Sequence, residues 1–548
     1  MKLKLNTKDE SLREILGNGK HYFVPKFQRD YSWEYEHWEM LWDDIQFIIS
    51  NPDEYHYMGY LVLQETDKQG FKIIDGQQRL TTFSLFILAA IKCLKNSDID
   101  EKRRIDVLHR SFIKSEGPTL REVNTIKLNR NNDYYYDEAV NGNELPKRGK
   151  KKTVILMGKA LTYFEKVLKQ KTGEEIGRII EIISQNLLFT TIYIGDELNA
   201  YKVFETLNAR GAQLSSGDLL KNHIFSIIDS KEDTPDEVLD RLEQKWEAIG
   251  EDIGDNHYTD YILTQWNATH KIVRKTALFK NIRQEIKTTD QASGYLNTLA
   301  QNSQLYSALL NPDSEFWKEH SDYLRIKQDL EFFKLFNIKQ PISLFYIAYL
   351  KKADDFTKIL RWVKVLSLRY NVISRGHTGE QEDLYNSICL MINDGKSTSD
   401  VKQKLLGLYP DDEKFKQLFK DKTMPTQQSN KKARYLLARL SEQDGNPVDE
   451  ATLTVEHILP LHPNEHWVDS FGDNWQLFNQ RLGNMALVTK TLNKELGQQA
   501  FEEKQQLLKN TPFTVNTHLQ EYDEWNSQTV QSRQGKLATM AAHLWRID

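Results

Sequence analysis

Four polar residues near the C-terminus have the types and the order that hydrolysis of a phosphodiester requires. Glu456 and His457 are adjacent, and Asn484 and Asn493 follow along the chain. Such hydrolysis needs a base that deprotonates water and a divalent metal that stabilises the developing charge. Histidine can be that base near neutral pH, and glutamate and asparagine supply oxygen ligands that suit Mg²⁺. The alternative is an ordinary buried histidine, with asparagines that form turns.

A second group of polar residues follows a predicted strand near the N-terminus. The segment Ile73–Thr82 reads as a strand, a turn at Gly76 and the start of a helix. This order places free backbone N–H groups and the positive end of a helix beside Asp75 and Arg79, which is suited to an anion. Arg79 can hold phosphate oxygens in a bidentate fork, and Asp75 could hold a metal that bridges phosphates. A charged turn in which Asp75 caps the helix is an equal alternative on these grounds.

The C-terminal residues resemble the HNH, or ββα-metal, nuclease motif. In that family a strand carries an acidic residue and the histidine base, and a helix after a second strand returns a ligand to the metal. The resemblance implies that Glu456 and Asn493 hold Mg²⁺ or Mn²⁺ and that His457 is the base. It also implies that Asn484 props the loop and orients the base. Asn493 follows Asn484 by nine residues, a spacing common in the family.

The wider pattern resembles the GmrSD-type, modification-dependent restriction enzymes. At the C-terminus, the residues that continue the match are Phe501, Lys504, Trp525, Arg533 and Trp545. At the N-terminus, the matching segments are Val24–Trp33, Asp75–Arg79 and Val203–Leu214. The first domain of that family is related in fold to the ParB/sulfiredoxin group. The resemblance implies that this domain binds and hydrolyses nucleoside triphosphates and senses modified DNA.

The same resemblance assigns residues to the nucleotide site. Those expected to contact the nucleotide or its metal are Asp75, Gly76, Gln77, Gln78 and Arg79. Gln28 and Arg29 are expected in the same pocket. Asn208 and Lys221 are further candidates, each of which could equally be structural.

Aromatic and basic residues near this site are candidates for contact with DNA or its modification. Tyr31 and Trp33 could stack on a base or could belong to the core. Trp38 is expected in the core because it has helical spacing with Leu41 and Ile45. A basic run that includes Lys150, Lys151 and Lys152 could contact phosphates, although such runs are usually solvated loops.

The elements that would position these residues indicate an α+β multidomain protein. Strands are predicted at residues 57–64, 71–75 and 188–194, with a helix at 80–94. The expected division is a ParB/sulfiredoxin-like α/β sensor domain at 1–230, a mainly helical middle region at 231–425 and a helical HNH domain at 426–548. An exposed insertion is predicted at about 127–152, and a linker at 421–430.

Composition excludes several classes of protein. Of the 548 residues, 39% are hydrophobic and 28% are charged, which is enough apolar material for real cores. The apolar stretch near Phe83–Leu94 is too short to span a bilayer, and the N-terminus lacks a secretory pattern. Two cysteines are too few for a disulfide framework. His462 and His466 alone are too few ligands for zinc, and the two cysteines do not supply the usual others. The formal net charge of −5 gives no overall sign of nucleic-acid binding, so such binding would need a local basic face.

Taken together, the two resemblances predict an antiphage type IV restriction enzyme in the prokaryotic cytoplasm. It would cut or nick double-stranded phage DNA that carries glucosylated hydroxymethylcytosine or phosphorothioate, under control of GTP, ATP or another nucleoside triphosphate. One metal and one base per chain imply one strand cut per event, so a double-strand break needs two events or a homodimer. The alternatives are an RNA-directed or nonspecific nuclease of abortive infection, and a nucleotide-binding sensor whose HNH domain is inert.

Overall fold

A computed structural model describes most of the chain. The described ranges are 5–66, 70–94, 99–116, 122–146, 151–195, 216–229, 234–254, 257–425, 427–442 and 448–547. Asn208, Lys150 and the segment 203–214 lie outside them. The chain forms two compact units, Met1–Asp260 with Val273–Gln301, and Tyr261–Ile272 with Asn302–Asp548. The fold is mixed α/β and mostly helical with a small sheet.

Most of the described strands belong to the N-terminal part of the chain. The strands are β1 (Leu5–Ser11), β2 (His21–Phe23), β3 (His56–Glu65), β4 (Gly70–Asp75), β5 (Lys114–Glu116), β6 (Glu122–Asn124), β7 (Ile126–Lys127), β8 (Leu187–Ile194), β9 (Leu453–His457) and β10 (Met485–Thr489). The helices that begin before residue 300 are α1 (Leu12–Leu16), α2 (Tyr35–Ser50), α3 (Gln77–Cys93), α4 (Ile99–Leu108), α5 (Asp133–Val140), α6 (Lys152–Leu168), α7 (Gly173–Asn186), α8 (Ser216–Ile228), α9 (Asp236–Ile253), α10 (Tyr258–Thr269), α11 (Lys275–Glu285) and α12 (Thr289–Leu310).

The later helices build most of the second unit. They are α13 (Glu315–Lys318), α14 (Tyr323–Phe336), α15 (Ile342–Lys351), α16 (Phe356–Ser367), α17 (Thr378–Asn393), α18 (Thr398–Leu406), α19 (Asp412–Lys420), α20 (Gln427–Ser441), α21 (Glu465–Phe471), α22 (Lys490–Leu496), α23 (Phe501–Lys509), α24 (Thr514–Thr517) and α25 (Ser527–Leu544). Among the described residues, every helix is too short or too polar to traverse a bilayer.

The first unit is organised around a six-stranded sheet formed by described residues. Its strand order is β1-β8-β3-β4-β2-β7, with β3 antiparallel to β4 and parallel to β8. Successive side chains alternate between the faces, as the period of two in a strand requires. Leu61 and Leu63 belong to the main core, whereas Val62 packs with Ile74 in a separate cluster. β4 is one of the central strands of the sheet, and Asp75 at its end lies opposite Val62 of β3.

The turn from β4 into α3 depends on a glycine. Gly76 has φ 96°, and a Cβ at this position would lie 2.2 Å from Cδ2 of Leu61. Only glycine adopts this backbone and this close approach without strain. The following helix is buried along almost four turns, from Gln77 to Ala90. The sheet and the core thus hold the residues of the turn at one defined place.

The element predictions are largely confirmed. Strands 57–64, 71–75 and 188–194 correspond to β3, β4 and β8, and the helix predicted at 80–94 corresponds to α3. Trp38 is buried at 2% exposure, as its helical spacing predicts. Between residues 235 and 420, the elements that the structure describes are helical.

Two loop predictions are wrong. The described part of the segment 127–152 is not an exposed insertion, because it contains α5, whose Tyr136 is fully buried and hydrogen-bonded to Ser84 (2.5 Å). The stretch 421–430 is not a free linker either. Met424 is buried, Thr423 forms a β-bridge with Arg481, and α20 begins at residue 427. In both segments a few apolar residues among many polar ones are enough to anchor the chain.

Candidate functional sites

The C-terminal candidate site is built on a strand, a loop, a second strand and a helix. β9 and β10 pair antiparallel, with Glu456 opposite Ala486 and His457 opposite Met485. α22 follows β10 directly and is capped by Thr489, whose side chain accepts a hydrogen bond from the Leu492 N–H. Because β9 ends at His457, Glu456 and His457 lie at the end of this strand, beside the start of β10.

Glu456 and Asn493 meet at this point. The Asn493 amide donates to Glu456 Oε2 (2.7 Å) and to the carbonyl oxygen of Val455 (3.2 Å). Glu456 is 6% exposed, and burial raises the pKa of its carboxyl while the ammonium of Lys504 opposes that rise. The two side chains that the sequence assigned to the metal are therefore in contact, although one lies on a strand and the other on a helix.

His457 has the features of a neutral imidazole with an unused nitrogen. Within the described chain, its Nε2 is buried and has no hydrogen-bond partner. Burial, assisted by the positive charge of Lys504, lowers the pKa of His457 to about 4. A buried polar atom left unpaired costs free energy, so its persistence at a site is informative. The imidazole is uncharged at neutral pH, which is the form that can accept a proton.

Asn484 supports the loop instead of contacting the histidine ring. It is fully buried, and its Oδ1 accepts from the Leu459 N–H (2.8 Å) and from Trp525 Nε1 (2.9 Å). Its Nδ2 donates to the carbonyl oxygens of Leu459 (2.9 Å) and Asn479 (3.0 Å). All four hydrogen-bonding positions of the amide are used. Asn484 therefore props the loop after His457, and any influence on the base passes through the backbone.

Lys504 lies inside the site, although sequence reasoning gave it no role there. Its side chain has no exposed surface, and its ammonium lies 2.6 Å from Glu456 Oε1. The available signal was a lysine at the fourth position of α23, on the side of the buried Phe501 and Leu508. A charged residue on the apolar side of a helix indicates a buried partner.

The donor set fits a small, hard divalent cation. Glu456 Oε2 and the end of the Asn493 side chain are adjacent, and the assignment of nitrogen and oxygen within an amide follows from the network around it. The Asn493 amide nitrogen donates to both Glu456 Oε2 and the Val455 carbonyl, so its oxygen can face a cation only if the amide turns over and gives up both hydrogen bonds. Mg²⁺ takes few protein oxygens and keeps several waters. Among the described residues, no group of three or more His, Cys, Asp or Glu is placed to hold a metal ion, so a metal here would need an amide oxygen besides the Glu456 carboxylate.

The N-terminal candidate site lies at the turn between β4 and α3. Arg79 donates to the carbonyl oxygens of Met58 (2.6 Å) and Tyr60 (2.7 Å), on either side of Gly59. Its guanidinium lies 3.8 Å from the carboxylate of Asp75. Burial raises the pKa of Asp75, and Arg79 opposes this rise. The structure thus brings Asp75, Gly76 and Arg79 together as the sequence pattern predicts.

The glutamines of this site are used by the protein itself. The Gln77 amide donates to the Arg29 carbonyl (3.0 Å), and the Gln78 amide donates to the Asp30 carbonyl (2.9 Å). Gln78 Oε1 also accepts from the Ser32 N–H (2.9 Å). Gln28 donates to the Ile74 carbonyl (2.9 Å), and its Oε1 is buried without a partner in the described chain. These amides fasten the segment from residue 28 to 32 against the turn.

The two aromatic residues predicted to contact DNA are both engaged by neighbouring protein groups. Tyr31 is buried, and its hydroxyl bonds Thr82 (2.9 Å) and Trp38 Nε1 (2.8 Å). Trp33 is half-buried and stacks on His37.

The three lysines that were predicted to contact DNA or nucleotide and that the structure describes already contact other protein groups. Lys151 donates to Asn131 (2.8 Å), and Lys152 pairs with Glu34 (2.6 Å). The ammonium of Lys221, on α8, lies over the ring of Phe225.

Comparison with known families matches both ends of the chain. Residues 12–225 match the N-terminal domain of the GmrSD restriction endonuclease, and residues 409–540 match the C-terminal domain of the GmrSD restriction endonucleases. No curated protein sequence matches the chain closely enough to count as a relative. The two matched segments include both candidate sites and together cover more than half of the chain. The chain therefore belongs to the GmrSD restriction endonuclease family, and its role is that of a type IV restriction endonuclease that acts on DNA.

Proposed function

We propose that the C-terminal site is a metal-dependent HNH endonuclease centre formed by Glu456, His457 and Asn493. The observation that carries the proposal is the contact of 2.7 Å between Glu456 and Asn493, beside a histidine whose Nε2 has no partner in the described chain. A carboxylate, an amide and a neutral imidazole are the groups that metal-assisted hydrolysis needs. The open ring nitrogen of His457 supports this assignment because a neutral imidazole can accept the proton of a water.

Each side chain then has one task. Mg²⁺ or Mn²⁺, when bound, stabilises charge on the scissile phosphate and on the leaving 3′ oxygen. Glu456 and Asn493 would hold that ion. His457 accepts the proton of the attacking water at a ring nitrogen, and Asn484 keeps the loop after it in place. With one such centre per chain, each event cuts one strand, and a double-strand break takes two events or a homodimer.

The N-terminal turn is the proposed nucleotide site of the same enzyme. Backbone N–H groups at the start of α3 and the guanidinium of Arg79 suit phosphate oxygens, and Asp75 suits the accompanying metal. Gln77 and Gln78 would act by shaping the turn. A nucleoside triphosphate, GTP, ATP or another, bound there controls cutting of DNA that carries glucosylated hydroxymethylcytosine or phosphorothioate.

A plasmid assay tests the nuclease proposal. Unmodified, glucosylated and phosphorothioated plasmids are incubated with Mg²⁺ or Mn²⁺, with and without GTP. We expect nicking by the wild type, loss of nicking in His457→Ala and wild-type nicking in His543→Ala, which alters an exposed histidine. Nicking that persists in His457→Ala would overturn the proposal. If no plasmid is cut, RNA is the substrate to test next.

Nucleotide hydrolysis tests the N-terminal site separately. We expect Asp75→Ala to abolish hydrolysis and His457→Ala to leave it unchanged. Asp53→Ala, which alters an exposed turn, serves as the control. Hydrolysis at the wild-type rate in Asp75→Ala would remove Asp75 from the nucleotide site.

A further inference from the structure

Lys504 has an unusual environment for a lysine. Its side chain is fully buried on α23, and its ammonium donates to Glu456 Oε1 (2.6 Å), Ile458 O (3.1 Å) and His457 O (3.2 Å). An ammonium has three N–H donors, so each of them has an acceptor. The ammonium also lies 5.8 Å from the ring of Trp467, a distance at which a cation is attracted to the aromatic face. The ammonium is thus held by protein groups on all three of its N–H donors.

Because of these contacts, the two oxygens of the Glu456 carboxylate have different partners. Oε1 is held by Lys504, and Oε2 faces Asn493 at 2.7 Å. A carboxylate with one oxygen held in this way has little freedom to rotate, so the other oxygen keeps a constant position. The bonds to the carbonyls of His457 and Ile458 extend the same restraint to the backbone that carries the imidazole.

We propose that Lys504 is the positioning residue of the nuclease centre, which presents Glu456 Oε2 to the divalent metal and fixes the backbone of His457. This inference rests on the proposed function, since it presumes that Glu456 is a metal ligand. Lys504 touches neither metal nor DNA in this role. Residues that orient metal ligands typically change metal affinity or activity by about 10–100-fold when they are replaced.

A simple stabilising role predicts a different outcome. A lysine that only filled the core would affect unfolding of the protein and leave the metal affinity of the folded fraction unchanged. A positioning role predicts weaker metal binding in protein that is still folded. The affinity for the metal alone, measured without DNA, therefore separates the two roles.

The experiment measures Mn²⁺ binding to the full-length chain by calorimetry, and nicking as a function of Mn²⁺ concentration. In Lys504→Met we expect the dissociation constant for Mn²⁺ and the concentration for half-maximal nicking to rise by about 10–100-fold. Lys509→Met, at an exposed position of the same helix, should match the wild type. Lys504→Gln, which keeps N–H donors on a shorter side chain without the charge, is measured in parallel so that a folding failure of the methionine variant leaves a test.

The outcomes separate this inference from the proposed function. If His457→Ala and Glu456→Gln lose nicking while every Lys504 variant that folds binds Mn²⁺ within threefold of the wild type, the positioning role is overturned. If Glu456→Gln keeps wild-type nicking and Mn²⁺ binding, the nuclease centre itself is overturned, and the role of Lys504 with it.

Discussion

Replacing Asn484 by alanine should destabilise the C-terminal site more than most single substitutions do. The change leaves four buried groups without partners, namely the N–H and carbonyl of Leu459, the carbonyl of Asn479 and the indole N–H of Trp525. An unsatisfied buried polar group costs about 1–3 kcal/mol. Even at about 1 kcal/mol each, the four groups add up to about 4 kcal/mol, which is near the upper end for one substitution.

Hydrogen exchange can test this value locally. A loss of about 4 kcal/mol in the free energy of opening corresponds to roughly 10³-fold faster exchange, since 1.36 kcal/mol is one factor of ten. Mass spectrometry of peptides that cover residues 453–461 should show this acceleration at the Leu459 amide. Asn510→Ala, an exposed asparagine after α23, should leave the same peptides unchanged. An acceleration below tenfold in Asn484→Ala would refute the reasoning, because it would mean that the four groups find other partners.

Three further predictions probe the scaffold of the two units. Gly76→Ala combines positive φ with a Cβ that would contact a leucine of β3, so it should cost about 2–5 kcal/mol in thermal unfolding. Gly142→Ala, with φ 80° and open space around it, should cost only about 1–2 kcal/mol, and equal losses would contradict the steric argument. Lys364→Met breaks a buried pair with Asp329 (2.6 Å) and should cost about 3–5 kcal/mol in urea unfolding. Adding Asp329→Leu should recover most of this loss, and no recovery would argue against an uncompensated charge. Because burial lowers the pKa of Lys422 to about 8, unfolding takes up a proton between pH 8 and about 10.4. Stability should therefore rise with pH across this window by up to about 1.4 kcal/mol per unit, and a Lys422→Met variant with the same slope would contradict the assignment.

Local patterns were sufficient where a single element determines the outcome. Short runs of aromatic and β-branched residues identified β3, β4 and β8, and helical spacing identified α3 and the burial of Trp38. The glycine between a strand and a helix predicted the tight turn at residue 76, and the positive φ there confirms it. In each case the physical cause lies within about ten residues of chain.

Contacts between distant segments could not be predicted in the same way. Lys504 meets Glu456 across 48 positions, and Gln78 meets Asp30 across 48 positions. Nothing in the local sequence states which polar residue a buried lysine or glutamine will find. The segment 127–152 was misread for a related reason, since the burial of Tyr136 depends on a hydroxyl of α3.

Residues that build a site can be compared with residues that react in it by asking whether their polar atoms already have hydrogen-bond partners in the protein. Asn484 and Lys504 have every hydrogen-bonding position filled by protein, so they cannot also bind a substrate without breaking those bonds. His457, in contrast, has a buried nitrogen for which the described chain supplies no partner. At the N-terminal turn, Gln78 bonds the backbone through both its nitrogen and its oxygen, which assigns it to shaping the turn. Substitution of a shaping residue should then alter stability and ligand affinity together, whereas substitution of His457 should abolish cutting in a protein that folds normally.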